Sequence, residues 1–157
     1  MFHIALNVSG LLSNHGRREA SKIMRVGWIA LGNYWLDKIR PRHFTAKGAA
    51  MYRYEPRSAA YVARKLKQRG HNDPLRWTGR SQARSALGQV KATGRGVRVT
   101  MNVPQLNMKP RGKRDSMRDE LTRVLTGEKR ELGRVWVTVV TDLMNKLSGR
   151  GRQRLAG

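Results

Sequence analysis

The sequence predicts an α+β fold in which a long N-terminal helix and a C-terminal helix pack on a small antiparallel sheet, with extended arms and a basic loop. Apolar residues recur at helical spacing over residues 17–39 and again from Thr126 to about Leu147. Between these stretches, two short alternating runs flank Thr93–Gly96, which is typical of a hairpin. We expect an N-terminal arm (1–16), a single domain (17–147) and a flexible basic tail (148–157).

The first helix is predicted from an apolar stripe with four-residue spacing, formed by Ile23, Gly27, Leu31 and Trp35. Pro41 ends this helix, because a proline pushes the preceding residue out of the helical region. The following segment, 45–57, fits a short strand or an extended loop, since aromatic and charged side chains alternate in its second half.

A second helix is predicted to open at Pro56–Ser58 and to close at Gly70. His71–Pro74 reads as a turn, and Thr78–Gly79 breaks the chain again. Residues 81–87 are predicted to form a short helical or irregular lead into the sheet.

Two strands are predicted, over 87–93 and 96–103. In the second strand the apolar side chains share one face, which we expect to be buried: Val97, Val99, Met101 and Val103. Arg98, Thr100 and Asn102 share the opposite, outward face. Three tryptophans, Trp28, Trp35 and Trp136, lie on helical stripes and are expected in the core.

The segment 104–116 has no periodicity and is predicted to be a mobile basic loop. A short helix should follow it, because Asp115, Asp119 and Glu120 suit the positive end of a helix dipole. Thr126 is a plausible N-cap for the last helix, with Glu128 in its first turn.

The net charge is the strongest compositional feature. The 157 residues include 33 Lys+Arg and 10 Asp+Glu, giving a formal charge of +23. A surplus of this size repels itself unless an anionic partner is near, which points to nucleic acid, an acidic protein surface or an anionic membrane. No apolar run approaches the ~20 residues that span a bilayer, so we expect no membrane insertion. The opening residues have neither a basic leader nor a long apolar stretch, so we do not expect them to act as a secretory signal.

The residues that enzymes use for chemistry are sparse and scattered. The chain has no cysteine, which excludes disulfides and thiol chemistry. The four histidines are far apart, the acidic residues fall mostly at helix starts, and Gly94–Gly96 lacks the sequence of a phosphate-binding loop. We therefore predict no enzyme, no catalytic residues, no cofactor and no metal.

Two groups of cations are candidates for contact with DNA or for docking on a protein neighbour. One surrounds the predicted hairpin and the other lies in the basic loop; together they are Arg80, Arg84, Lys91, Arg95, Arg98, Lys109, Arg111, Lys113 and Arg114. They could contact a phosphate backbone, meet acidic residues of a neighbour, or form a solvated face. No helix-turn-helix, zinc-finger or aromatic RNA-binding signature is present, so base-specific recognition is not expected. Trp77, in an Arg-rich segment, is the tryptophan best placed for stacking.

The order of these elements resembles the head–tail joining and tail-completion (minor tail) proteins of tailed bacteriophages. Proteins of that group have a Pro…Thr-Gly…Ser element after the helical N-terminal part. This sequence matches it at Pro74, Thr78, Gly79 and Ser85. The resemblance also includes Arg40–Phe44 and Tyr52–Tyr54, and spans about residues 20–147.

The resemblance implies a non-enzymatic virion protein located in the neck or tail and assembled in the host cytoplasm. It implies a homo-oligomeric ring, six-fold by preference or twelve-fold, around the DNA channel. Its partners would be neighbouring neck, portal or tail-tube proteins and, non-specifically, double-stranded DNA. The alternative hypothesis is a basic protein that binds nucleic acid non-specifically without forming a ring.

Overall fold

The computed structural model describes residues 3–4, 16–110 and 112–155. Its helices are α1 (Arg17–Tyr34), α2 (Gly48–Met51), α3 (Ala59–Arg69), α4 (Arg80–Ala86), α5 (Met117–Leu121) and α6 (Thr126–Leu155). Its strands are β1 (His3–Ile4), β2 (Gln89–Ala92) and β3 (Val97–Thr100). Long first and last helices with a small antiparallel sheet confirm the predicted α+β class.

The described residues form two compact units, each drawn from separate parts of the chain. The first combines residues from Met1–Tyr34, Val90–Val99 and Gly127–Gly157. The second combines Trp35–Gln89 and Thr100–Thr126. The predicted extent of a single domain, 17–147, stays a prediction.

In the first unit, α1 lies close to both α6 and the sheet. Two glycines of α1 permit this contact, because a Cβ at Gly27 would lie 2.6 Å from Val140 Cγ2, and one at Gly32 would lie 2.6 Å from Val90 Cγ1. Trp28 of α1 and Trp136 of α6 are both 1% exposed, and their ring centroids are 5.6 Å apart. The predicted burial of these two tryptophans is confirmed.

The sheet has the strand order β1-β3-β2, with β1 antiparallel to β3. The register pairs His3 with Arg98 and Ile4 with Val97, so two residues of the predicted N-terminal arm belong to the sheet. The rest of that arm, apart from Gly16, lies outside the described residues. The alternation predicted for β3 is confirmed, since Val97 and Val99 are buried while Arg98 is exposed.

The second unit has an aromatic and aliphatic core, formed by Phe44, Tyr52, Tyr54, Leu75, Val103, Leu106 and Leu121. This unit begins with a π-helical turn, Trp35–Ile39, followed by a 3₁₀ turn over Arg40–Phe44. Trp35 is fully buried, as predicted.

Local capping explains where the short helices begin and end. The Ser58 hydroxyl accepts the Tyr61 N–H at the start of α3, and Gly70 ends that helix in the left-handed conformation, with φ 68°. At α5, the Ser116 hydroxyl accepts the Asp119 N–H while the Asp119 carboxylate accepts the Ser116 N–H. These hydrogen bonds lower the pKa of Asp119.

The structure differs from the sequence predictions in three local details. Residues 45–57 contain the short helix α2, which was not predicted, while 54–57 have no helix or strand, in keeping with the predicted alternative of a loop. Glycine is required at position 48, because a Cβ there would lie 2.8 Å from the carbonyl oxygens of Arg42 and His43. The basic loop begins with a 3₁₀ turn, Pro104–Asn107, since proline is preorganised for a first helical position. Helix α6 extends to Leu155 and so includes most of the predicted tail, and no proline interrupts it. The flexibility predicted for 148–157 stays a prediction.

Candidate nucleic-acid interface

The turn between β2 and β3 is held by its own hydrogen bonds and by close approach to α1. The Thr93 N–H donates to the Gly96 carbonyl at 2.9 Å, and the Arg95 N–H donates to the Thr93 hydroxyl at 3.2 Å. A Cβ at Gly94 would lie 2.6 Å from the Ser21 hydroxyl, so only glycine fits there without displacement. The turn therefore presents Arg95 outward on a fixed backbone.

Three of the predicted cations line one shallow pocket on this hairpin. Lys91, Arg95 and Arg98 surround a volume of about 370 Å³, together with Ala92, Thr93, Gly96 and Val97. None of these lining residues is acidic, so the pocket concentrates positive charge. All three cationic side chains are exposed and can reach an anion such as a backbone phosphate.

The other two cations predicted near the hairpin belong to the second unit. Arg80 and Arg84 are exposed on α4, one turn apart. Arg80 lines a different pocket, beside Trp77. Three of the five cations predicted around the hairpin thus share one pocket, and the grouping of all five stays a prediction.

The cations of the basic loop have different surroundings. Lys109 is exposed, Lys113 lines a pocket with Arg57 and Arg64, and Arg111 lies outside the described residues. The backbone N–H of Arg114 donates to both carboxylate oxygens of Glu55 at 3.0 Å, and this contact anchors the end of the loop.

Sequence analysis missed two arginines that stack on Trp77. The guanidinium carbons of Arg64 and Arg69 lie 5.6 and 5.5 Å from the Trp77 ring centroid, and Arg64 also lies over Tyr61. These are cation–π distances. The four-residue spacing of Tyr61, Lys65 and Arg69 on α3 was visible in the sequence, but nothing there showed that Trp77 packs beside that helix.

A second group that the sequence did not reveal is buried in the second unit. His43 stacks on Tyr52, with ring centroids 3.6 Å apart, and its Nδ1 shares a hydrogen bond with the Tyr54 hydroxyl. Burial lowers the pKa of His43 to about 3, and the Arg40 and Arg42 charges add to this effect. The imidazole is fully buried and neutral near pH 7.

Two buried ions of the same unit have defined partners. The Glu120 carboxylate accepts a hydrogen bond from Arg57 at 2.5 Å, and burial raises the pKa of Glu120. The Lys65 ammonium donates to the Asp73 carbonyl, and burial lowers the pKa of Lys65. Both groups lie in the interior, where they hold neighbouring segments together, and neither presents its charge to solvent.

Within the described ranges, no group of three or more His, Asp or Glu side chains could hold a metal ion. None of the helices there has an apolar stretch long enough to cross a bilayer. Comparisons of the chain with protein-family models, curated proteins and solved structures found no match.

Proposed function

We propose that this protein is a structural component of a tailed-bacteriophage virion, located at the head–tail neck or the head-proximal end of the tail. In this role it forms a homo-oligomeric ring around the DNA channel and contacts neighbouring neck, portal or tail-tube proteins. Its basic hairpin, defined as Lys91, Arg95 and Arg98 with the Thr93–Gly96 turn, faces the DNA and contacts it without reading sequence.

The observation that supports DNA contact is the acid-free pocket of the basic hairpin. Phosphate contacts attract a duplex of any sequence, since the backbone has the same charge everywhere. Contacts of this kind suit a protein that lines a DNA channel, because they do not depend on the sequence of the DNA that passes. The surplus of +23 charges adds long-range attraction to the same partner.

The phage role rests on the sequence resemblance, and the motif that carries it lies in the second unit. A turn at Pro74–Leu75 is followed by a bend over 77–79, and Leu75 and Gly79 both have positive φ, 54° and 81°. Leu75 is buried in the core of the second unit, and Gly79 is the N-cap of α4. Helix α4 therefore begins directly after Thr78–Gly79. Ser85, the last residue of the motif, lies on this helix, and its hydroxyl accepts a hydrogen bond from the buried Arg40 guanidinium at 2.8 Å.

The test of DNA contact is a salt titration of duplex binding, measured by fluorescence anisotropy. The variant Lys91→Gln/Arg95→Gln/Arg98→Gln should lower the log–log salt slope by about 2.7, because each phosphate contact contributes about 0.9. The matched control changes three exposed cations of α6, Lys129, Arg130 and Arg134, to Gln. It removes the same charge and should keep the parent slope.

Equal slopes for the two triple variants would contradict a specific role of the hairpin. Duplexes of unrelated sequence should bind the parent protein with similar strength, and a preference above about tenfold would point to base recognition instead.

The alternative, a non-ring protein that binds nucleic acid non-specifically, is favoured by the basic hairpin alone, since such a pocket needs no oligomer. Mass in solution at high salt separates the two hypotheses. A multimer that persists in ~1 M NaCl supports the ring, because screening at that ionic strength removes association through DNA. A monomer that gains mass only when DNA is added supports the alternative.

A further inference from the structure

Two adjoining pockets of the second unit share four residues, Tyr61, Arg64, Met108 and Met117. Their volumes are about 610 and 470 Å³. We call this continuous depression, from Lys113 at one end to Arg80 at the other, the Met–Arg groove. It is separate from the basic hairpin, which belongs to the first unit.

Three of the four shared residues, Tyr61, Met108 and Met117, form an apolar and adaptable surface in the groove. Met108 is 60% exposed, which is unusual for a large apolar side chain, and Met117 and Tyr61 lie beside it. Methionine side chains are flexible and polarisable, so a surface built from them can pack around bulky side chains of another chain. The Met117 N–H donates to the Met108 carbonyl at 3.2 Å, which holds the two methionines next to each other.

The groove is rimmed by cations and has no acidic residue in its lining. Two of the cations are already neutralised, since Arg57 pairs with Glu120 and Arg76 pairs with Asp73. Three others, Arg64, Arg80 and Lys113, form no ion pair with a carboxylate among the described residues. An occupant with carboxylates on both sides of an apolar side chain would complement this pattern.

We propose that the Met–Arg groove binds an extended acidic peptide segment of a partner protein. A bulky apolar side chain of that segment packs on Tyr61, Met108 and Met117. Acidic residues flanking it pair with Lys113 at one end and Arg64 and Arg80 at the other. This binding surface is independent of the DNA contact proposed for the hairpin.

The aromatic geometry favours a peptide over a single nucleic-acid strand. Strand-binding grooves present open aromatic faces on which bases stack. Here Arg64 and Arg69 already lie over the Trp77 ring, at 5.6 and 5.5 Å. Tyr61 and Trp77 are 5.7 Å apart and tilted by 41°, so a base cannot enter between them without displacing the pair.

The test uses the full chain and a synthetic, fluorescently labelled peptide of about ten residues, made of Asp and Glu with central Leu and Phe. We expect saturable binding in ~0.15 M salt. Met108→Gln and Lys113→Gln should each weaken it by about fivefold or more, since one removes an apolar contact and the other an ion pair. The controls Met51→Gln and Lys67→Gln alter exposed residues outside the groove lining and should stay within about twofold of the parent.

Three outcomes would overturn the proposal. The first is no saturation with the peptide up to ~1 mM. The second is equal binding of a peptide of the same charge without Leu and Phe, which would reduce the groove to a general positive field. The third is a Met108→Gln variant that loses binding to single-stranded DNA but still binds the peptide as the parent does. The hairpin triple variant should keep peptide binding, so failure of the DNA proposal remains distinguishable.

Discussion

His43 is an ionisable side chain with no exposed surface, and its environment stabilises the neutral form. Burial against Tyr52 lowers its pKa to about 3, whereas an unfolded chain has an imidazole pKa near ~6.5. Below the pKa of the unfolded chain, the unfolded state binds a proton that the folded state does not, so the free energy of unfolding falls as the pH drops. Between pH 7 and pH 5, this one residue should lower the free energy of unfolding by about 2 kcal/mol.

The change that tests this effect is His43→Phe, which keeps an aromatic ring against Tyr52. The loss of unfolding free energy between pH 7 and 5, measured by urea titration, should be about 2 kcal/mol smaller in the variant than in the parent. Glu120 contributes with the opposite sign, because its raised pKa favours the folded state at lower pH, and subtracting the two profiles removes its contribution. Identical parent and His43→Phe profiles would contradict the assignment.

Individual residues were predictable from sequence to the extent that their neighbours in space are also neighbours in the chain. Lys91, Arg95 and Arg98 were found as candidates because one hairpin brings them together. The shared lining of the Met–Arg groove was not found, because Tyr61, Met108 and Met117 come from α3, the loop and α5. No spacing rule connects residues that only tertiary packing brings together.

At the scale of elements, periodicity predicted the long helices and β3, since these patterns report which face is buried. It failed at α2, where a four-residue helix is too short to show a period. Periodicity also could not show that α1 and α6 come into close contact at Gly27. Its position in an apolar stripe was visible, but the distance between the helices was not.

The contact at Gly27 gives a prediction for the helix pair. A Cβ there would lie 2.6 Å from Val140 Cγ2 and 3.0 Å from Trp136 Nε1, closer than side chains approach. Gly27→Ala should therefore destabilise the protein by about 1–3 kcal/mol through overpacking, although alanine is the better helix former. Thermal and urea unfolding measure the change.

The matched control is Gly133→Ala in α6, where an added Cβ would meet nothing within 4 Å. Because the substitution there changes only the helix propensity, the free energy of unfolding of this variant should rise by up to about 1 kcal/mol. We expect the changes in the free energy of unfolding of the two variants to have opposite signs. A stabilised Gly27→Ala protein would show that α1 and α6 are farther apart in solution than in this structure.

For the whole molecule, the charge of +23 sets how stability responds to ions. Like charges destabilise a compact state, and added salt screens them. Without nucleic acid, the melting temperature should therefore rise as NaCl increases from ~20 to ~300 mM. An uncharged osmolyte at equal osmolality is the control for general solute effects, and a melting temperature that falls steadily with salt would contradict the argument.

Duplex DNA should reverse this salt response. A ligand that binds only the folded state at a hundred times its Kd adds about 2.7 kcal/mol, or roughly 5–10 °C for a chain of this size. That gain should be largest at low salt and disappear as salt displaces the phosphate contacts, while the free protein becomes more stable. The melting temperatures with and without DNA, plotted against salt concentration, should then converge at high salt.

Two variants test whether the hairpin carries this effect. In Lys91→Gln/Arg95→Gln/Arg98→Gln the DNA-dependent rise in melting temperature should be smaller at every salt concentration. The control Lys129→Gln/Arg130→Gln/Arg134→Gln should retain the full rise. A gain that does not depend on salt in the parent protein would mean that DNA is held by contacts other than the charges on the hairpin.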